Sequence, residues 1–225
     1  MKKILEICCP SIEAGIIAEQ CGADRIEFCK DLSVGGVTPT FDEIEKIKSL
    51  IKIPIHVLIR CRAGNFIYSE NEINKMIDEI NFCKSIGIDG VVIGALQTDG
   101  KIDISSIKKM ILAADGMDIT FHKAFDEIEN QIEALHELIH LNFTRILTSG
   151  CKTTAIKGAE QLKTLNTIAK NKITIMPGGG IRSNNLSELN KITNCSAFHS
   201  AASIANGNEI FENEILKMKS ILEIV

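Results

Sequence analysis

Glu6-x-Cys8 and Glu27-x-Cys29 repeat one spacing, a carboxylate and a thiol two residues apart. Two thiols on adjacent strand ends can bind a soft cation such as Cu(I). The competing explanation is packing, because free cysteine is among the most buried residue types and often acts as a small hydrophobe. Other polar residues keep the same spacing: Arg25 with Glu27, Arg60 with Arg62, Thr120 with His122. Pro177-Gly178-Gly179-Gly180 ends one apolar run just before a helical stretch, and His199-Ser200-Ala201-Ala202-Ser203 ends another. Bare backbone N–H groups near a helix N-terminus can hold an anion. The alternative there is a tight turn that needs small residues, which is also the first reading of Gly35-Gly36.

Residues two apart act together only if a strand carries them. The chain has short runs rich in Ile and Val at 3–9, 25–29, 55–60, 90–96, 118–125, 145–150, 174–181 and 197–202. Each is followed by an amphipathic stretch. Ser11 caps the first helix and Gly22 ends it, while Thr40 with Glu43 and Ser69 with Glu72 have capping-box spacing. Later helices are expected near 103–114, 127–141, 153–170, 183–192 and 208–224. Strict alternation argues for a parallel sheet with helical crossovers. Eight such units in roughly 200–250 residues are what a closed (β/α)8 TIM barrel requires. An open doubly wound sheet is the competing architecture, but it usually carries a Gly-rich turn after its first strand. Here Cys8-Cys9-Pro10-Ser11 stands in that place. No linker or charge block divides the chain, so residues 1–225 are read as one α/β barrel domain.

Alternate strand residues face opposite sides. With Leu5, Ile7, Ile26, Phe28, Ile55, Val57, Ile59, Ile119 and Phe121 against the helices, the polar residues turn inward. These are Glu6 and Cys8, then Arg25, Glu27 and Cys29, then His56, Arg60 and Arg62, then Thr120 and His122. Most come late in their strands, at the barrel end where such enzymes place their chemistry. An internal salt-bridge layer of Glu6 and Glu27 with Arg60, which only plugs the barrel, is the other explanation. His56 comes early in its strand and reads as a satisfied core histidine. His136 and His140 share a helix face without an acidic neighbour and read as surface residues. Cys21, Cys61, Cys83, Cys151 and Cys195 show no ligand spacing.

Hydrophobic residues are 45% and charged residues 24% of the 225, which excludes a disordered chain. Lys plus Arg is 25 against 29 Asp plus Glu, and Trp is absent, so a nucleic-acid surface is not expected. No apolar run approaches the roughly 20 residues of a membrane span. The signal-like start at Met1-Lys2-Lys3-Ile4-Leu5 is interrupted by Glu6 and Pro10, so a cytoplasmic protein is expected. Eight cysteines without Cys-x-x-Cys suit a reducing compartment better than a disulfide or zinc framework.

The ordered motifs resemble the CutC family, named for copper homeostasis. They are Leu5-Glu6-Ile7-Cys8, Gly22-Ala23-Asp24-Arg25-Ile26-Glu27-Phe28-Cys29 and Gly35-Gly36-Val37-Thr38-Pro39-Thr40. Further matches run through 59–69, Asp89-Gly90-Val91-Val92, 120–126, 145–150, 175–180 and His199-Ser200-Ala201. The resemblance implies a (β/α)8 barrel and a role in controlling copper. Three departures stand out. The family's usual Arg-Pro-Arg-Gly-Gly-Asp-Phe reads Arg60-Cys61-Arg62-Ala63-Gly64-Asn65-Phe66; Lys123 follows His122 where the family usually has Arg; and Ala201 replaces a serine.

Two functions follow. One is a cytoplasmic copper-homeostasis protein, with Cu(I) held by Cys8 and Cys29. The other starts from the hard, charged set that the motifs supply: Glu6, Glu27, Arg60, Arg62, His122, Asp126 and Ser149. That set suits acid–base chemistry on a small phosphorylated or carboxylated metabolite. Glu27 and His122 are its base and acid, with Glu6 setting their pKa values and Asp126 as a further catalytic candidate. Arg60, Arg62, Ser149, Gly178, Gly179, Gly180, His199 and Ser200 are expected to hold the anion. The expected partners are therefore copper ion or a small anionic metabolite, with self-association into a homo-oligomer and neither nucleic acid nor membrane.

Overall fold

The computed structural model describes residues 3–202 and 212–223. Its strands are β1 (Ile4–Cys9), β2 (Arg25–Phe28), β3 (Ile55–Leu58), β4 (Gly90–Ile93), β5 (Asp118–Phe121), β6 (Arg145–Thr148), β7 (Thr174–Pro177) and β8 (Ala197–Ser200). The helices between and after them are α1 (Ile12–Gln20), α2 (Phe41–Leu50), α3 (Glu70–Ser85), α4 (Ile104–Ala113), α5 (Gln131–His140), α6 (Ala159–Ala169), α7 (Ser183–Thr193) and α8 (Glu212–Glu223). All sheet pairings are parallel and run in chain order from β1 to β7, with β8 on the free side of β1. A single parallel bridge from Gly178 to His199 joins β7 to β8 and closes the TIM barrel. A Cβ on Gly178 would overlap Leu147 Cδ1, so a side chain at that seam would have to push this leucine aside.

Helix starts follow the predicted caps. Ser11 Oγ accepts from the Ala14 N–H. Thr40 with Glu43, and Ser69 with Glu72, form complete capping boxes. The outer face of the sheet packs on the helices through Leu5, Ile7, Ile26, Phe28, Ile55, Val57 and Phe121, all at most 2% exposed. Each such side chain contributes roughly 1.5–3 kcal/mol by leaving water. The inner face is different. Cys8, Cys29, Leu58 and Val92 form one apolar cluster, and Leu147, Met176 and Ala197 another.

Most strands end sooner than their apolar runs do. The run expected to reach Arg60 stops pairing as a strand at Leu58. Ile59 N–H still donates to Val92 O, but Arg60 N–H turns to the Thr38 hydroxyl. The residues beyond the ladders become the loops of the barrel mouth. The helix expected from 127 is preceded by a 3-10 segment, Lys123–Glu127, and begins only after Asn130 caps Glu133 N–H. The helix expected from 153 begins at Ala159. Gly150 and Gly158 press backbone against backbone before it, and a side chain on either would collide. Ser203 and the helix ends expected at 208 and 224 lie outside the described residues.

Candidate functional site

The mouth is built above a buried charge pair. Glu6 is completely buried, accepting from Arg25 Nε at Oε2 and facing His199 Nδ1 at 2.7 Å from Oε1. Strand register places both partners, since Glu6 sits beside Arg25 on β2 and beside His199 on β8. Burial alone raises a carboxyl pKa. Here Arg25 and His199 overcome burial and hold Glu6 well below the usual range. His199 moves the opposite way: burial opposes its charge, but Glu27 and Glu6 outweigh burial and raise its pKa. The two shifts describe one ion pair. An inner charged layer therefore exists, yet its arginine is Arg25 rather than the expected Arg60. It continues through His56, whose Nδ1 lies 3.3 Å from Arg145, and through Arg145 to Asp118. His56 is a core histidine as its position predicts, held neutral with a pKa of about 3 mainly by burial.

Above this layer lies a cavity of about 240 Å³ at the C-terminal ends of the strands. Cys8, Glu27, Arg60, His122, Gly179, Gly180, His199 and Ser200 line it, as do Leu32, Leu58, Phe66, Lys123, Leu147 and Arg182. Glu6 is not at its wall but one layer below. Cys29 stands behind Cys8, with the two sulfurs 3.5 Å apart. The Cys8 thiol pKa is raised by its hydrogen bond with Cys29 and then by burial. Cys8, Glu27 and His199 offer ligand atoms within 4.8 Å of one another. Glu27 is buried with Oε2 unpartnered, and burial followed by the nearby Glu6 charge raises its pKa against the pull of His199.

His122 is fixed in one tautomer. Its Nδ1 accepts the Ala124 N–H at 3.2 Å, so the ring proton is on Nε2, which has no partner. Burial, reinforced by the Arg60 charge, lowers its pKa to about 3 and keeps the ring neutral. The imidazole lies between Phe66, at 4.7 Å between ring centroids, and Gly94. A Cβ on Gly94 would overlap Cε1 and Nδ1 of that ring. Gly94→Ala is therefore expected to displace His122 and cost about 1–3 kcal/mol. Urea denaturation gives the cost, and a shifted His122 imidazole NMR signal reports the displacement.

Arg60 uses its two terminal nitrogens on backbone. NH1 donates to Val34 O and Gly36 O, and NH2 to Gly64 O. Its guanidinium lies 5.1 Å from the Phe66 centroid, and Nε is unpartnered. Three of its five N–H groups are thus committed to backbone, which leaves Nε–H and one N–H on NH2.

Four other expected site residues do not reach the cavity. Arg62 pairs with Glu72, stacks on Tyr68 and bonds loop carbonyls of Asn65 and Ile67. The two-residue alternation that would aim it with Arg60 applies only within a strand, and β3 has ended by then. Asp126 is consumed by the turn after β6, accepting from Thr148 Oγ1, from Ser149 N–H and Oγ, and from Cys151 N–H. Ser149 is committed to that same turn. Gly178 forms the barrel seam. Ser200 lines the cavity, but its hydroxyl donates to Ile181 O and accepts from Ala202 N–H. The α7 N-terminus, expected to hold a ligand anion, already has one: Glu214 of α8 accepts from Ser183 N–H and Oγ. Lys123 and Arg182 were not anticipated as cavity residues, and neither was Phe66. All three follow strand ends, where no periodicity marks direction. His136 and His140 are exposed on α5 as expected.

A model of the CutC family matches residues 3–204. A family protein CutC from Histophilus somni is 43% identical over 198 residues, 88% of this chain and 82% of that protein. The human copper homeostasis protein cutC homolog is 40% identical over 220 residues, 97% of this chain and 81% of its own length. The CutC crystal structure from Streptococcus agalactiae superposes with a TM-score of 0.85 at 30% identity, covering 88% of this chain and 98% of that one.

Proposed function

The chain belongs to the CutC family, and from that premise we propose that it is a copper-homeostasis protein that binds Cu(I) through Cys8 and Cys29. The observation that carries the reading is the approach of the two sulfurs to 3.5 Å beside the cavity. Soft thiolates select Cu(I). The spacing is shorter than the roughly 4.6 Å of a straight bridge made of two metal–sulfur bonds of about 2.3 Å. Cys8 and Cys29 would hold the ion, and a third donor would complete its shell. Glu27 and His199 offer donor atoms within 4.8 Å of each other and of one from Cys8. His199 also has the carboxylate behind its other ring nitrogen that metal-bound histidines usually have. Binding must displace the thiol protons, so affinity rises with pH.

The double variant Cys8→Ser, Cys29→Ser is expected to lose Cu(I) by more than the roughly 10- to 100-fold that removing an outer-shell partner brings. Competition with a chromophoric Cu(I) chelator measures the loss, and circular dichroism checks the fold. Undiminished binding would remove these thiols as the site.

We place the protein in the cytoplasm. All eight cysteines are free, which suits a reducing compartment, and no helix among the described residues is long and apolar enough to cross a membrane. Self-association into a homo-oligomer is part of the same proposal; Leu112 on α4, 78% exposed, is an apolar group it can cover. Acid–base chemistry on an organic anion is weaker as a whole, because Arg62, Asp126 and Ser149 leave its residue set.

A further inference from the structure

Three buried polar atoms of cavity-lining residues lack any partner: Glu27 Oε2, Arg60 Nε and His122 Nε2. Glu27 belongs with the thiols and His199. Arg60 and His122 are a separate pair, both packed on Phe66. Neither has anything to do with a copper ion, since a guanidinium and a protonated ring nitrogen have no lone pair to offer.

Buried polar groups are normally satisfied, and each exception asks for an explanation. Arg60 is 6% exposed and forms no salt bridge with any described carboxylate. A buried charge without a counter-charge is costly. Three backbone carbonyls solvate the guanidinium but carry no net charge. A ligand anion would supply what is missing. Two N–H groups, one on Nε and one on NH2, are left to meet it, enough for the two oxygens of a carboxylate. The place where barrels often hold phosphate is taken by Glu214.

His122 adds a neutral donor, Nε2–H, with no partner of its own. It suits a carbonyl oxygen. Leu32, Leu58 and Leu147 give the same wall an apolar part, alongside Glu27, Lys123, Arg182 and His199. These features define a ligand with a carboxylate, a neighbouring carbonyl and a short hydrocarbon tail. We propose that the cavity binds a small 2-oxo acid: the carboxylate meets Arg60 Nε–H, the carbonyl oxygen meets His122 Nε2–H, and the tail lies on the leucines.

The test uses chelator-treated full-length protein, so that its outcome is independent of the copper reading. Calorimetric titration compares 4-methyl-2-oxopentanoate with its 2-hydroxy counterpart, with pyruvate and with inorganic phosphate. The oxo acid is expected to bind with a Kd of about 1 mM or tighter. The hydroxy acid and pyruvate should each bind at least roughly tenfold more weakly, the first because its sp3 oxygen leaves the carboxylate plane and brings an O–H that needs its own acceptor, the second for the lost tail. In His122→Phe the oxo and hydroxy acids should become equal. Arg60→Met should lose both, but it also releases three backbone carbonyls. The wild-type protein therefore carries a second readout: the Arg60 15Nε and His122 15Nε2 resonances should both move on adding the oxo acid. No binding, equal binding of the oxo and hydroxy acids, binding of phosphate alone, or unmoved Arg60 and His122 resonances would each overturn the proposal.

Discussion

Glu6→Ala is expected to destabilise the protein by about 3–5 kcal/mol, the usual consequence of removing one partner from a buried ion pair. Glu6 is fully buried and serves Arg25 and His199 at once. Its loss leaves Arg25, 8% exposed, with Met176 Sδ as its remaining side-chain partner. Since domains are stable by only about 5–15 kcal/mol, the urea midpoint should fall sharply. The pair itself is not the source of much net stability, because taking two charges out of water costs about as much as their attraction returns. Glu6→Leu combined with Arg25→Met should therefore recover most of the loss. If the double variant is no better than Glu6→Ala, the damage comes from packing or from His199 rather than from the stranded guanidinium.

The second large effect is acid lability beginning well above the carboxylate range. His56 and His122 are both held neutral, with pKa values near 3, against about 6.5 in an unfolded chain. Between those values the unfolded state binds a proton at each site that the folded state refuses. Their contribution to stability is complete above about pH 6.5 and is lost as pH falls toward 3. Glu27 and Glu79 work in the other direction, because burial raises their pKa values and makes the folded state take a proton before the unfolded state does. Each imidazole steepens the loss by up to about 1.4 kcal/mol per pH unit, and each carboxyl offsets it only once the folded state has taken its proton. Below about pH 4.5 the depressed pKa of Glu6 adds to the loss. Urea denaturation at pH 6.5 and pH 4.5 should thus differ by about 1–3 kcal/mol, with the lower pH less stable. His199 acts above this window: its raised pKa contributes stability that is complete below about 6.5 and lost as pH rises through the folded value. A flat profile between pH 6.5 and 4.5 would mean that the two buried imidazoles titrate normally.

The inward set was legible wherever a strand carried it. Period-two alternation placed Glu6 and Cys8, Arg25 and Glu27, and Thr120 with His122 inside; the ladders hold all but His122, which stands one residue past β5 with its N–H still on Ile93 O. Strand count and order were legible for the same reason, since each apolar run is flanked by a helix with a readable cap. Legibility ended with the ladders. Arg62, Asp126 and Ser149 stand just past β3, β5 and β6, where direction is set by turns rather than by alternation. Asp126 became the acceptor for a whole turn, a role that needs the fold of residues 148–151 to be known first. Partner choice was hidden too. Arg25 and Arg60 are equally inward by parity, and only strand register puts Arg25 beside Glu6. The self-capping of α7 by Glu214 joins residues 31 positions apart on neighbouring helices, and no local pattern announces it.

The three carbonyls on Arg60 have a consequence for motion. Val34 and Gly36 belong to the connection after β2, and Gly64 to the connection after β3. One side chain therefore ties two successive loops of the mouth to a single point. Neither loop can lift without breaking bonds that also restrain the other, so the two should open as one cooperative unit rather than independently. Amide exchange around Val34–Gly36 and around Gly64 would then share one opening free energy. Entry to the cavity becomes an all-or-none fluctuation of that side of the barrel, with its rate set by the release of one guanidinium.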